Sequence, residues 1–201
     1  MTITNGYTTL NDVKAALRIV DSVDDALIEL AIETASRDID GYCNRTFYNA
    51  GTAARYFAAQ DELVCQVDDL AGTAITLQTD QNADGNFALT WTPSNYQLEP
   101  LNGYSNGQVW PYTRIRASLN YLFPVTNDLA LVKVTGVWGW PSIPTAIKYA
   151  CTIQAQRLFK RYDSPLGIIG FGDMGGIRVG SRLDPDVALA VDPYRKMDGV
   201  S

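Results

Sequence analysis

The stretch from Ala130 to Pro144, ALVKVTGVWGWPSIP, limits what this chain can fold into because its period changes halfway along. Its first half alternates apolar and polar residues and is rich in β-branched Val and Thr, the pattern of a half-buried strand. Its second half carries helix-start chemistry and runs without a break into an amphipathic segment that ends at Tyr162. The glycines at 136 and 139 and the prolines at 141 and 144 shape the handover, since proline presets φ and turns its predecessor away from helix. The stretch reads as the joint between a β part and an α part, with Trp138, Trp140, Pro141 and Pro144 as the junction residues.

Upstream, a helix is signalled from Thr9. Thr9 stands three residues before Asp12, a variant of the capping box, and Leu10, Val13, Leu17 and Val20 recur at helical spacing. A second helix is expected with Ser22 as its N-cap and Asp24 and Asp25 in a first turn where the dipole favours them. Its apolar face is read as Val23, Leu27, Leu30, Ala31, Thr34 and Ile39, with a stop near Gly41. So short a connection predicts an antiparallel helical hairpin.

After the turn signal Asn49-Ala50-Gly51 the period becomes two. Segments 53–58, 63–67, 73–79, 87–91, 96–98, 109–117 and 129–137 read as strands separated by Gly, Asn, Asp or Pro clusters. Many short strands without helical interruption predict an antiparallel barrel or sandwich. The helix over 145–162 presents a wide apolar face through Ile147, Ala150, Cys151, Ile153, Ala155, Leu158 and Phe159, which implies packing on more than one side. Residues 167–180 hold six glycines and read as a flexible segment. A last short helix is expected with Asp184 as N-cap and Pro185 at its first position.

The expected fold class is therefore α+β: a small helical bundle formed by the N- and C-terminal helices, with an antiparallel β barrel or sandwich-like excursion between them. The divisions are 1–51 (helical hairpin), 52–138 (β subdomain), 139–163 (long helix), 164–182 (glycine-rich segment) and 183–201 (C-terminal helix and tail). At 201 residues such a chain can bury a sizeable core.

Composition narrows the function. The chain has no histidine, which removes the commonest general base and metal ligand. Its three cysteines, Cys43, Cys65 and Cys151, are too scattered for a zinc site and odd in number for a disulfide framework, so they read as reduced core residues. No nucleophile and base stand together, and no cofactor is expected. A net charge of −6 argues against a dedicated nucleic-acid binder, whose affinity comes mostly from phosphate neutralisation. The charge is polarised: residues 52–138 carry eight acids against four bases, residues 145–201 eight bases against six acids. No run approaches a membrane span or a signal peptide, so synthesis in the cytoplasm is expected.

Two motifs invite chemistry. Asp80, Asn82 and Asp84, with Gly85, spell the opening positions of a calcium loop, but the twelfth position, where a bidentate Glu is needed, is Trp91. Asp-Gly and Asn are also ordinary hairpin-turn residues. Gly170-Phe171-Gly172-Asp173-Met174-Gly175 spells a dinucleotide fingerprint without the strand and helix that it needs on either side. The aromatics of the β part leave a carbohydrate-binding module as a further alternative.

Taken together, the order of parts resembles the tailed-bacteriophage head-tail connector, or adaptor, proteins. The resemblance lies in Tyr7 to Ile19 (YTTLNDVKAALRI), Asp24 to Ile28, Ile39 to Arg45, Val132 to Trp140, Ile143 to Lys148, Leu183 to Val187 and Pro193 to Arg195. It implies a structural virion protein and no enzyme: a homo-oligomeric ring, typically of twelve copies, at the head-tail interface of the virion. The ring would dock on the portal protein, meet a stopper or tail-completion protein below, and pass DNA through its channel without sequence-specific binding. No membrane is involved. The β region at 52–128 is longer than the compact members carry. Within this reading the C-terminal helix is the expected portal-docking element, through Leu183, Val187, Ala190 and Tyr194 with Arg195 and Lys196 beside them. The alternative is a non-enzymatic calcium- or carbohydrate-binding β module.

Overall fold

The structure, a computed structural model, describes residues 3–105, 107–118, 120–162, 168–169, 177–178 and 183–196. In chain order its elements are α1 (Leu10–Leu17), α2 (Asp25–Cys43), β1 (Asn49–Phe57), β2 (Val64–Leu70), β3 (Thr76–Thr79), β4 (Leu89–Trp91), β5 (Tyr96–Glu99), β6 (Tyr104–Ser105), β7 (Gln108–Val109), β8 (Tyr112–Ala117), β9 (Val132–Gly139), α3 (Thr145–Tyr162), β10 (Ile168–Ile169), β11 (Ile177–Arg178) and α4 (Pro185–Val191). Two compact units result: Met1–Phe47 with Ile143–Ser201, and Tyr48–Ser142. Most of the glycine-rich segment, and with it the fingerprint spelling at 170–175, lies outside the described residues.

In the helical unit, α1 opens on the capping box read from the sequence. Thr9 accepts from the Asp12 N–H at 3.1 Å while Asp12 accepts from the Thr9 N–H at 3.4 Å. Arg18 then takes a left-handed conformation at φ 60° and ends the helix one turn before Val20. Val20 is accordingly 96% exposed, and Val13 is the buried residue of the expected stripe.

The start of α2 is displaced from the expected Ser22. Asp21 accepts the Val23 N–H at 3.1 Å, so this segment closes as a local turn and Asp24 takes the cap position. The helix runs past Gly41 to Cys43, where Asn44 caps it in the left-handed region. Its buried face is Ile28, Ala31, Ile32, Ala35, Ser36, Ile39 and Cys43, rotated from the expected one, and Val23 is 85% exposed. Two apolar stripes lie side by side on this helix, and packing against α3 selects the second.

The helix α3 starts where the two prolines place it, its first turn closed by the Lys148 N–H on the Pro144 carbonyl at 2.9 Å. It packs along α2 and α1, and α4 packs on both α3 and α2. Because α3 lies inside the chain, these helices are not all terminal, as the expected bundle of N- and C-terminal helices required.

The β unit is one curled antiparallel sheet of seven strands, a half-barrel and not a sandwich, with the order β4-β3-β9-β2-β8-β5 and β1 on β9. Strand β9 is its spine. One edge pairs with β1 from Thr52↔Val137 to Phe57↔Val132. The other edge is shared, β3 taking Val132 to Thr135 and β2 touching at Leu70↔Trp138. The alternation seen in the sequence places Val132, Val134 and Trp138 in the core with Cys65, Leu70, Leu77, Trp91, Ile115 and Phe123. Gly136 fits this row because a Cβ there would lie 2.9 Å from Leu70 Cδ1 and 3.0 Å from Ile75 Cγ2.

The expected strand over 109–117 is broken. Pro111 has no N–H to donate, and the chain before it folds into a separate hairpin, with β6 on β7 and Tyr104 opposite Val109.

Candidate functional site

The C-terminal helix has the predicted caps and a different outer surface. Asp184 accepts the Asp186 N–H at 2.8 Å, and Pro185 occupies the first turn. Val187 and Tyr194, expected to dock on a partner, are instead core residues, as is Val191. Tyr194 meets the Phe47 ring edge-on at 5.9 Å, and the Lys196 N–H bonds the Cys43 carbonyl at 2.8 Å. Leu183 and Ala190 are half-buried. The helix is seven residues long and marginal alone, so its apolar face is used to attach it to α2 and α3. What it turns outward is Leu189, 77% exposed, with Arg195 following. The Arg195 guanidinium lies 5.4 Å over the Tyr42 ring, and the Tyr42 hydroxyl donates to Asp192 at 3.1 Å. Leu189 sits on the side of the helix opposite Val187, so its outward placement follows from the helical period once the inner face is known.

The calcium-like loop closes on itself. The buried Asp80 carboxylate accepts backbone N–H groups of Gly85 at 2.7 Å, Asn82 at 3.2 Å and Asp84 at 3.3 Å. Desolvation opposes its charge, but these amides together outweigh it and hold the carboxyl below the usual range. Asp84 in turn accepts the Asn86 N–H at 2.9 Å. Asp80, Asn82 and Asp84 are thus brought together as the turn between β3 and β4, and the Asp80 oxygens face amides where a cation would need them. Among the described residues no group of three or more His, Cys, Asp or Glu is placed to hold a metal.

At the junction, Trp138 and Trp140 are both fully buried. Trp138 donates its indole N–H to the Ala53 carbonyl at 2.8 Å, and the Arg55 guanidinium covers its ring at 4.7 Å. Trp140 donates to Asp69 at 3.1 Å and packs 5.0 Å from Trp110. Pro144 is buried and Pro141 exposed. Both indoles are satisfied inside the β unit, which leaves neither as a ligand platform.

The cysteines are buried and unpaired with one another. Burial pushes the Cys43 and Cys65 thiols up to about 12 and Cys151 up to about 11, so they stay protonated and unreactive at neutral pH.

Two surfaces escaped the sequence reading. One is an apolar groove of about 190 Å³ on the helical unit, lined by Leu27, Leu30, Ala31 and Thr34 of α2 and Leu158, Phe159 and Tyr162 of α3. All but Tyr162 are members of the two stripes expected to be core, and on α2 Leu27, Leu30 and Thr34 were left over when Ile28 and its neighbours took that place. The other is the β6–β7 hairpin, which shows Leu101, Tyr104 and Val109 to solvent.

Residues 7–81 match the family model described as Phage gp6-like head-tail connector protein. The fold as a whole matches chains in solved assemblies of low sequence identity. One is from the neck of a native GTA particle computed with C12 symmetry, at TM-score 0.57 and 14% identity. Another is from the neck of an empty GTA particle computed with C6 symmetry, at TM-score 0.56 and 13% identity. A third is from the virion of a native gene transfer agent particle, at TM-score 0.56 and 14% identity. Each match covers 100% of this chain and 95% of the other. No curated protein matches the chain.

Proposed function

We propose, for a chain whose residues 7–81 match the phage gp6-like head-tail connector model, that twelve copies form a ring beneath the portal, extend its DNA channel and present the docking surface for a stopper or tail-completion protein. The observation that carries this reading is the correspondence of the entire fold, both units included, with chains of particle necks computed with six- and twelve-fold symmetry. The place of action is then the head-tail interface of the virion.

In this role the chain is a scaffold and not a catalyst. Its net charge of −6 suits a channel that DNA traverses without adhering, since phosphates are repelled and not neutralised. Portal docking is assigned to the outward side of α4, through Leu189 and the basic pair Arg195 and Lys196. Val187 and Tyr194 support that surface from beneath by fixing α4 to the helical unit. The joint at Trp138, Trp140, Pro141 and Pro144 carries the chain from the sheet into α3.

The reading is tested by sedimenting the purified chain with portal rings and, separately, with tails. Co-sedimentation with portal supports it. Sedimentation with tails alone, leaving portal bare, contradicts it.

A further inference from the structure

We infer that neighbouring copies join head to tail, the β6–β7 hairpin of one copy seating its apolar face in the α2–α3 groove of the next. This rests on the ring reading above and adds to it which two surfaces meet.

A ring repeats one contact around an axis, so every copy must carry two different patches that fit each other. The groove is concave and none of its seven lining residues is charged. Within it Leu30 and Tyr162 remain exposed, Tyr162 at 69%. The hairpin stands outside the seven-stranded sheet and lies in a stretch, Pro100 to Thr113, without a single charged residue. Tyr104 and Val109 are cross-strand partners and therefore share a face. Tyr104 is 67% exposed, and Leu101 lies three residues before it, also exposed.

Electrostatics favours this pairing over a charged occupant. Neutral against neutral removes water from no ion, whereas a charged surface brought onto either patch would lose its hydration without gaining a counter-charge. Area sets the strength. Two largely exposed tyrosines and three aliphatic side chains offer on the order of 500 Å² of contact, below the roughly 1,200 Å² of a stable interface. The contact is thus weak between free copies and holds when copies are already aligned side by side on a portal.

Cysteine cross-linking reads this directly, because the native thiols are buried. Tyr104→Cys and Tyr162→Cys both lie at exposed positions, and melting curves check that each variant is folded. The variants are assembled on portal rings and treated with a short bis-maleimide. The mixture of the two single variants should give covalent dimers, each single variant alone should give none, and the Tyr104→Cys/Tyr162→Cys double variant should give a ladder of higher oligomers. Dimers from one single variant alone would mean a two-fold contact and overturn the inference. Links from Tyr162→Cys to portal chains only, or rings by electron microscopy without any ladder, would overturn it while leaving the ring reading intact. Absence of rings altogether would overturn both.

Discussion

A Cβ added to Gly139 would lie 2.0 Å from the carbonyl oxygen of Tyr48, and Gly139 holds φ at +99°. Both facts come from the place where β9 ends opposite the start of β1, at Asn49↔Gly139. Any side chain must displace backbone here and also adopt a conformation that L residues avoid. Gly139→Ala should therefore cost more than about 3 kcal/mol in urea unfolding, beyond the roughly 1–3 kcal/mol of backbone strain alone. A near-neutral variant would mean that the joint is slack.

Trp138 lies one residue earlier and is buried, with its indole N–H satisfied by Ala53. Trp138→Ala removes the core side chain shared by β9, Phe57 and Arg55 and should destabilise by roughly 3–5 kcal/mol. If the measured loss were under about 1 kcal/mol, the cluster would not be the core of the sheet.

The alternation and turn residues of 49–139 made most of the strands legible, and Thr9 with Asp12 made the first helix start legible, because these signals act within a few residues. The phase of α2 was not legible. Leu27, Leu30 and Thr34 compete with Ile28, Ile32 and Ala35 at the same helical spacing, and only packing against α3 decides between them. The same competition hid the groove. The inner and outer sides of α4 were hidden for a related reason: on a short helix an apolar stripe is needed first for attachment, so Val187 and Tyr194 went inward and Leu189 stayed exposed. Val20 failed because the left-handed Arg18 ended the helix before the period reached it.

The Asp80 carboxyl titrates below its unfolded value, which is about 3.9. A depressed folded pKa contributes stability that is present above the unfolded value and is lost as pH falls through the folded one. The native chain should therefore lose part of its resistance to urea below about pH 4. Asp80→Asn, which carries no titrating charge, should be weaker at pH 7 and show a smaller fall between pH 7 and pH 3. Equal falls in the two proteins would remove Asp80 from the account of the β3–β4 turn.

The two sides of α4 should separate stability from docking. Val187→Ala empties a buried position and should lower stability by about 2 kcal/mol. Leu189→Asp alters an exposed position and should leave unfolding within about 0.5 kcal/mol of the parent while weakening sedimentation with portal. Full portal binding by Leu189→Asp would move the docking surface off this helix.

The central claim, that this chain is a ring subunit beneath the portal, is tested most directly by electron microscopy of the chain mixed with portal rings. The account predicts an added layer of density on one end of the portal, with twelve-fold symmetry and one copy of this fold per asymmetric unit. A portal left bare, or decorated by scattered single copies without rotational symmetry, would contradict it.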